Sequence, residues 1–335
     1  MKNKSEKYFD YDTFINWALT TKCNFECEYC FNKFEPPSPP LKPIDIKKVI
    51  RTLRKTKRKY LITFSGGEPF LIPNFIELCK ALTKEHYISI CTNLSCTEKI
   101  KQFAKEISPE KVKSIHASCH VMEHERKGIN SFIENHNMLK KNNFFIDAGY
   151  VIYPPLLSRF EKDILYYRSK GIIMYGREFI GYYENKKYPE SYSKKDKKRI
   201  LKYYTIGQSY LKGTPCNAGY NTVAVVPNGD VLICYFVPLK LGNIYKKIEF
   251  NKKMIICPID ACQCPLKLFE PKLFSSACKQ TIPYTNQEQE SLINSFKIKS
   301  HHNFNLDKFI GKIGISIKRH NPNLYYKLKK IKDAQ

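Results

Sequence analysis

Six short apolar runs, separated by longer amphipathic segments, constrain the fold of this chain more than any other feature. Apolar residues recur at helical spacing between the runs, near residues 45–57, 73–84, 97–107, 130–141 and 157–170. Alternation of this kind predicts an α/β fold with parallel strands joined by right-handed crossovers. It fits either a doubly wound sheet or a partial (β/α) barrel. The six predicted strands cover residues 14–20, 60–66, 87–93, 112–118, 144–152 and 171–179.

The six predicted strands belong to a first predicted domain over residues 1–181. The rest of the chain does not continue this alternation and is divided into three predicted segments. Residues 182–212 are polar, basic and interrupted by proline, which predicts a bridge containing one helix. Residues 213–280 contain the strongest hairpin signal of the chain, the turn sequence Pro-Asn-Gly-Asp at 227–230. Residues 281–335 are predicted to be a basic C-terminal tail.

Composition and charge limit the kind of protein. The 335 residues are 42% hydrophobic, enough for a sizeable core, so a disordered polycation is excluded. No run approaches the roughly 18 apolar residues of a transmembrane helix, and residues 1–10 lack the apolar stretch of a signal peptide, so a cytoplasmic location is predicted. The net charge of +26 leaves three partners open: a nucleic acid, an anionic membrane surface reached by the tail, or an acidic substrate.

Thirteen cysteines need an explanation. Disulfides are rare in the cytosol, so clustered cysteines there favour metal ligation. Cys23, Cys27 and Cys30 lie on one short loop directly after the first predicted strand. Such a loop can wrap a [4Fe–4S] cluster while leaving one iron atom without a protein thiolate, free to hold a cofactor. A zinc site is the alternative, although zinc sites usually use paired C-x2-C units and four ligands.

The sequence CNFECEYC, with Tyr29 at its aromatic position, resembles the C-x3-C-x-Φ-C motif of the radical S-adenosylmethionine (SAM) superfamily. The second predicted strand ends in SGGEP, which looks like the GGEP segment that receives the methionine amino group of SAM in that family. The resemblance implies that Gly66 and Gly67 let the backbone approach this ligand, and that Glu68 offers a carboxylate to its ammonium group.

Two further strand ends resemble the same family. The third predicted strand ends in Thr92 and Asn93, similar to the family's TN segment, and the fourth ends in the sequence ASCH. A serine at this place often contacts SAM, so the resemblance implies that role for Ser118. His120 is expected at the mouth of the barrel, either in the site or simply hydrogen-bonded in a loop. Arg126 matches the family's RG segment imperfectly and is interpreted as a solvated charge.

The resemblance implies a partial (β/α)6 TIM-like barrel followed by a small auxiliary-cluster domain with a β-hairpin. In such enzymes a reduced cluster gives an electron to SAM, which splits into methionine and a 5′-deoxyadenosyl radical that removes a hydrogen atom from the substrate. An external donor such as ferredoxin or flavodoxin is then needed. The substrate, whether small molecule, sugar or peptide, stays open. The alternatives are an RNA-modifying radical SAM enzyme and a non-catalytic Fe–S electron carrier, which would need neither GGEP nor TN.

A second set of cysteines resembles the SPASM or shorter twitch extension, which carries auxiliary clusters. Two full clusters need seven cysteines, and only six occur from Cys216 onward, so the resemblance implies one auxiliary [4Fe–4S] cluster. Cys257 is the substitute if one of the two closely spaced cysteines cannot reach, and a structural zinc site is the alternative. The implied ligands are Cys216, Cys234, Cys262 and Cys264.

Overall fold

A computed structural model describes residues 9–30, 32, 40–203 and 212–259 of the chain. All six predicted strands are present, and they pair in parallel and in chain order. This confirms the predicted α/β architecture of a partial barrel. The strands are β1 (Thr13–Ala18), β2 (Tyr60–Ser65), β3 (Tyr87–Thr92), β4 (Val112–Cys119), β5 (Ile146–Ile152) and β6 (Met174–Glu178).

Helices cross over between these strands, as the helical spacing predicts. Five match the predicted segments, and a sixth lies in the predicted bridge. The short helix after β4 was not expected, because its seven residues carry too few apolar positions to form a stripe. The helices are α1 (Ile46–Lys55), α2 (Phe75–Thr83), α3 (Thr97–Glu106), α4 (Val121–Lys127), α5 (Ile129–Lys141), α6 (Phe160–Ser169) and α7 (Lys194–Leu201).

The two faces of the parallel sheet differ in chemistry, because side chains alternate along each strand. The face toward the helices carries the core, with residues such as Trp17, Phe64 and Ile90 at 1% exposure or less. The other face carries smaller and more polar side chains, including Asn16 and His116, and several of these are only half-buried. The sheet therefore packs a hydrophobic face against the helices and has a more polar face on the inside of the barrel.

The strands after residue 181 extend this sheet and form two small additional ones. β7 (Gly181–Tyr183) pairs with β8 (Lys186–Tyr188), and β9 (Pro215–Cys216) pairs with β14 (Ile255–Ile256). The others are β10 (Thr222–Val225), β11 (Asp230–Leu232), β12 (Lys240–Asn243) and β13 (Lys247–Ile248). β10 runs parallel to β1, so one ten-stranded sheet has the order β13-β12-β11-β10-β1-β2-β3-β4-β5-β6.

The hairpin predicted at residues 227–230 is confirmed as the turn between β10 and β11. Gly229 has a φ of +84°, a conformation that favours glycine, and its N–H donates to the carbonyl of Val226 at 2.8 Å. The sheet is continuous across the predicted boundary at residue 213, and the division into domains stays a prediction. The basic tail at 281–335 lies outside the described residues. No helix in the described part of the chain has the length and apolar character needed to cross a membrane.

Candidate functional site

The three-cysteine loop follows β1 and therefore starts at the carboxyl end of the parallel sheet. Cys27 is buried, and Cys23 and Cys30 are half-buried. The N–H of Cys30 donates to the carbonyl of Cys27 at 3.0 Å, and the N–H of Phe25 donates to the sulfur of Cys23 at 3.4 Å. These local bonds shape one short segment that presents all three thiols.

The protonation of these thiols reflects their burial. Burial raises the pKa of Cys23 to about 11 and that of Cys27 to about 12, and negative charge on neighbouring thiols, Cys30 among them, adds to both shifts. Binding of iron would therefore release protons, because thiolates and not thiols are metal ligands. This donor set fits an iron–sulfur cluster. Among the described residues, no group of three or more His, Cys, Asp or Glu side chains is placed to hold a single metal ion.

The two glycines after β2 are packed against the segment that leads into this loop. A Cβ on Gly67 would overlap the backbone carbonyl of Lys22, and one on Gly66 would overlap that of Thr20. The N–H of Gly67 donates to the carbonyl of Thr20 at 2.6 Å, and the next N–H, from Glu68, donates to the carbonyl of Lys22 at 3.0 Å. These glycines therefore seat the cysteine loop against the end of β2, a contact that the sequence did not suggest.

Glu68 is fully buried, and its carboxylate accepts three hydrogen bonds. One oxygen accepts from the N–H of Phe70 at 3.1 Å and from the hydroxyl of Thr92 at 2.8 Å, and the other accepts from the N–H of Asn93 at 2.8 Å. Burial raises the pKa of Glu68 to about 7, although these three bonds oppose the shift. The carboxylate thus joins the ends of β2 and β3 and retains little accepting capacity.

Asn93 joins the end of β3 to the cysteine loop. Its side chain is buried, and its amide nitrogen lies 3.6 Å from the sulfur of Cys23 and donates to the side-chain oxygen of Asn24 at 3.1 Å. Its oxygen accepts from the N–H of Ser95 at 3.0 Å. The predicted TN segment is therefore in direct contact with the predicted cluster loop.

Tyr29 and His120 connect the loop to the end of β4. The Tyr29 hydroxyl and Nδ1 of His120 are 3.0 Å apart, and the His120 ring also packs edge-on against Phe25 at 6.2 Å between centroids. Burial lowers the pKa of His120 to about 4, so its imidazole is neutral at physiological pH. Ser118 is half-buried and pairs with Gly149 of β5, on the inner face of the sheet.

Helix α4 holds the loop from the other side. The carboxylate of Glu123 accepts from the backbone N–H of Glu26 at 3.1 Å and from Arg126 at 2.8 Å. The Arg126 side chain is 54% exposed. The sequence predicted a solvated charge at Arg126, and its guanidinium forms a surface ion pair with Glu123, the residue that contacts the loop.

The second cysteine group comes together where β9 meets β14. Cys216 packs against the buried pair Cys257 and Ile259, and the interaction between the two thiols raises the pKa of Cys216 and lowers that of Cys257. The charge of Cys234 also acts on Cys216. The sulfur of Cys234 accepts from the N–H of Val237 at 3.1 Å. Cys262 and Cys264, two of the implied ligands, lie outside the described residues.

The inner face also carries polar groups that the sequence reading did not single out. His116 Nδ1 is hydrogen-bonded to the carboxylate of Asp147 on the neighbouring strand. Arg177 of β6 lies on the same face. The hydroxyl of Tyr235 donates to the backbone carbonyl of Asn16 at 3.2 Å. Ser114, His116 and Ser118 at every second position of β4 were the signal that could have revealed this surface.

These features define a class of protein, namely a partial parallel β/α barrel with a three-thiol loop held at the carboxyl ends of its strands. Residues 17–164 match the sequence model of the Radical SAM superfamily. Residues 17–164 therefore carry a radical SAM domain, and members of this superfamily use a [4Fe–4S] cluster and SAM. The roles of the individual site residues stay predictions.

Sequence relatives match a part of the chain. The GTP 3′,8-cyclase of Haemophilus ducreyi is 32% identical over 88 residues, which are 24% of this chain and 26% of that protein. The probable GTP 3′,8-cyclase of Methanocella arvoryzae is 37% identical over 78 residues, 23% of this chain and 25% of that protein. The chain thus matches about a quarter of the length of these curated relatives.

Solved structures with a similar fold cover a larger part of the chain than the sequence relatives do. The structure titled native anSMEcpe with bound AdoMet and Kp18Cys peptide gives a TM-score of 0.53 at 19% identity, covering 70% of this chain and 78% of that one. A likeness at this level of identity supports the shared fold.

Proposed function

We propose that this protein is a radical SAM enzyme that acts on a substrate held against the inner face of the barrel. When bound, the [4Fe–4S] cluster and SAM would supply a 5′-deoxyadenosyl radical that abstracts a hydrogen atom from the substrate. The chain itself would hold the cluster with Cys23, Cys27 and Cys30. The predicted SAM contacts would hold SAM next to this cluster. They are Tyr29, Gly66, Gly67, Glu68, Asn93 and Ser118.

One observation carries this proposal: three separate motifs form a single hydrogen-bonded unit. The backbone of Gly67 is bonded to the segment before Cys23, Glu68 is bonded to Asn93, and Asn93 contacts Cys23. An electron carrier would need only the thiols. The additional buried bonds between the GGEP and TN segments support a site built for a second ligand beside the cluster.

We further propose one auxiliary [4Fe–4S] cluster that assists the reaction, with Cys216, Cys234 and Cys257 as ligands. Cys257 enters this set because Cys216 packs against it where β9 pairs with β14. Either Cys262 or Cys264 would complete the set. β10 and β11, which precede Cys234, continue the barrel sheet next to β1, so this region has a fixed connection to the strand that leads into the first cluster loop.

The partners of the enzyme are an electron donor and a substrate. We propose an acidic donor such as ferredoxin or flavodoxin, because the chain carries a net charge of +26. A nucleic acid or an anionic membrane surface remains an alternative partner for the basic residues. A tRNA substrate would show binding that weakens steeply with salt.

The test is anaerobic reconstitution with iron and sulfide, followed by addition of SAM and dithionite and quantification of 5′-deoxyadenosine by mass spectrometry. The wild-type protein is expected to form 5′-deoxyadenosine, and Cys27→Ala should form none. Cys79→Ala is the matched control, because Cys79 is fully buried in the hydrophobic core on α2 and should behave as a small core residue. Absence of 5′-deoxyadenosine from reconstituted wild type would overturn the proposal.

A further inference from the structure

We propose that the amino ends of β5 and β6 form a surface that binds an anionic lipid membrane, with Phe145 and Ile173 entering the lipid interface and nearby lysines contacting the headgroups. This end of the sheet is opposite to the cysteine loop, which follows the carboxyl end of β1. Attachment at this end keeps the carboxyl ends of the strands turned away from the lipid. The inference does not depend on the proposed function, because it concerns attachment and not chemistry.

Two large apolar side chains project into solvent at this end of the sheet. Phe145 is 60% exposed and Ile173 is 43% exposed. The N–H of Ala148 donates to the carbonyl of Ile173 at 2.8 Å, so the two strand entries are adjacent. The register that aligns Ala148 with Met174 also brings Ile173 level with Asp147, two residues beyond Phe145. Because side chains alternate along a strand, Phe145 and Ile173 point to the same side.

The last turn of α6 extends this surface. Tyr166 is 42% exposed, and Nζ of Lys170 lies 5.4 Å from the centre of its ring. Lys170 directly precedes the turn at Gly171 that leads to Ile173. A tyrosine has an apolar ring and a polar hydroxyl, a combination that suits the headgroup level of a bilayer.

Lysine side chains lie next to these exposed apolar residues. Nζ of Lys140 donates to the carbonyl of Gly171 at 2.8 Å, which places its ammonium group at the turn before β6. Lys141 is exposed at the end of α5, four residues before Phe145, and Lys170 is exposed directly after α6. Three ammonium groups are therefore available around the two strand entries.

The two turns carry no acidic residue that would offset this charge. Residues 138–146 and 166–174 contain neither aspartate nor glutamate. Asp147 follows the first turn, and its carboxylate is hydrogen-bonded to Nδ1 of His116. Lysines close to an anionic leaflet are attracted to it, and insertion of apolar side chains adds to the binding.

The kind of side chain favours lipid over other anionic partners. Phe145 and Ile173 project from turns, so they can enter a bilayer interface without any rearrangement of the sheet. Proteins that bind single-stranded nucleic acid stack bases on aromatic rings, and Ile173 has no ring. A few projecting apolar side chains next to lysines match the boundary between headgroups and acyl chains.

The experiment measures sedimentation of the reconstituted full-length protein with lipid vesicles. One set contains phosphatidylcholine alone, and the other contains about 30% phosphatidylserine. Wild type is expected to bind the second set and to lose this binding as salt is raised. Phe145→Ser/Ile173→Ser should weaken binding at least about tenfold, because the apolar insertion is removed. Lys141→Gln/Lys170→Gln should weaken it about tenfold to thirtyfold.

Two control variants make similar changes elsewhere. Tyr182→Ser removes an aromatic side chain that is 49% exposed on β7, beyond the carboxyl end of β6. Lys194→Gln/Lys195→Gln removes two exposed charges at the start of α7. Both should bind vesicles as wild type does, and all variants should keep the thermal unfolding midpoint of wild type because every substituted side chain is exposed.

The inference is overturned if wild type does not bind the phosphatidylserine vesicles, or if Phe145→Ser/Ile173→Ser binds them undiminished. Bulk tRNA is the competing probe. Binding of tRNA that Lys141→Gln/Lys170→Gln weakens, without binding of vesicles, would assign this surface to a nucleic acid and would likewise overturn the inference.

Discussion

At the scale of single residues, Glu68 shows how a motif residue can serve the fold as well as a ligand. The sequence resemblance assigns its carboxylate to the ammonium group of SAM, yet both oxygens already accept hydrogen bonds from Phe70, Thr92 and Asn93. The contact with SAM stays a prediction. A carboxylate that joins two strand ends beside the cluster loop also fixes the position of Asn93, and through it the surroundings of Cys23.

The buried carboxyl group makes stability depend on pH. The pKa of Glu68 rises from its usual 4.5 to about 7 on burial, so the folded protein binds the proton more tightly than the unfolded chain. This residue's contribution is therefore fully present below pH 4.5 and is lost as the pH rises through 7. Between about pH 5.5 and 8.5 the loss amounts to about 2 kcal/mol.

Glu68→Gln tests this effect, since glutamine does not titrate. The difference in free energy of unfolding between wild type and the variant, measured by urea denaturation of the cluster-free protein, should shift by about 2 kcal/mol toward the variant over that range. Glu77→Gln is the control, because Glu77 is exposed on α2, and it should follow the wild-type pH dependence. A constant difference between Glu68→Gln and wild type would contradict the prediction.

At the scale of elements, the contact between the end of β2 and the cysteine loop is the feature that organises the site. It consists of backbone hydrogen bonds from Gly67 and Glu68 to the carbonyls of Thr20 and Lys22. The pair of glycines signals a close approach in the sequence, but the partner of that approach is a neighbouring loop. Substitution of Gly67 therefore cannot report on SAM binding alone.

Gly67→Ala should displace the cysteine loop, because the added Cβ would overlap the rigid backbone carbonyl of Lys22. We expect the reconstituted variant to lose most of the iron bound at this loop, together with about 1–3 kcal/mol of stability from overpacking. Iron content and urea denaturation measure the two effects. Gly176→Ala is the control, since its Cβ would make one close contact, 2.9 Å to the flexible end of the Ile152 side chain, and otherwise ordinary contacts with Tyr203 at 3.4 Å or more. Wild-type iron content in Gly67→Ala would disprove this account.

At the scale of the whole molecule, the sheet joins two regions that the sequence separates. β10 pairs with β1, so residues 222–248 extend the barrel sheet on the side away from β2. One thiol of each group therefore follows a strand of this sheet: Cys23 follows β1, and Cys234 follows β11. This shared sheet would suit electron transfer between the proposed auxiliary cluster and a substrate in the barrel.

Iron content tests the presence of two clusters. Two [4Fe–4S] clusters correspond to about 8 iron atoms per chain after anaerobic reconstitution. Replacement of Cys23, Cys27 and Cys30 by alanine should leave about 4, and replacement of Cys216, Cys234 and Cys257 should likewise leave about 4. A second triple variant that keeps all its iron would show that the auxiliary site does not use these three thiols.

The sequence by itself determined the six parallel strands, five of the helices and the hairpin at 227–230, because these depend on local periodicity and turn chemistry. It also located the three-cysteine loop and the GGEP and TN segments at strand ends. Helix α4 and the β7–β8 hairpin were not predicted from the sequence, because both are short and lack a clear apolar pattern.

Only the tertiary structure decided which distant groups meet. Three contacts join residues far apart in the chain. They are the pairing of β10 with β1, the packing of Cys216 against Cys257, and the approach of His116 and Arg177 to Gly149. Local sequence preferences carry no information about such partners, because they are selected by the packing of the whole sheet. The strands of the barrel can therefore be predicted from the local sequence, whereas the set of side chains that meet on its inner face is determined by the tertiary structure.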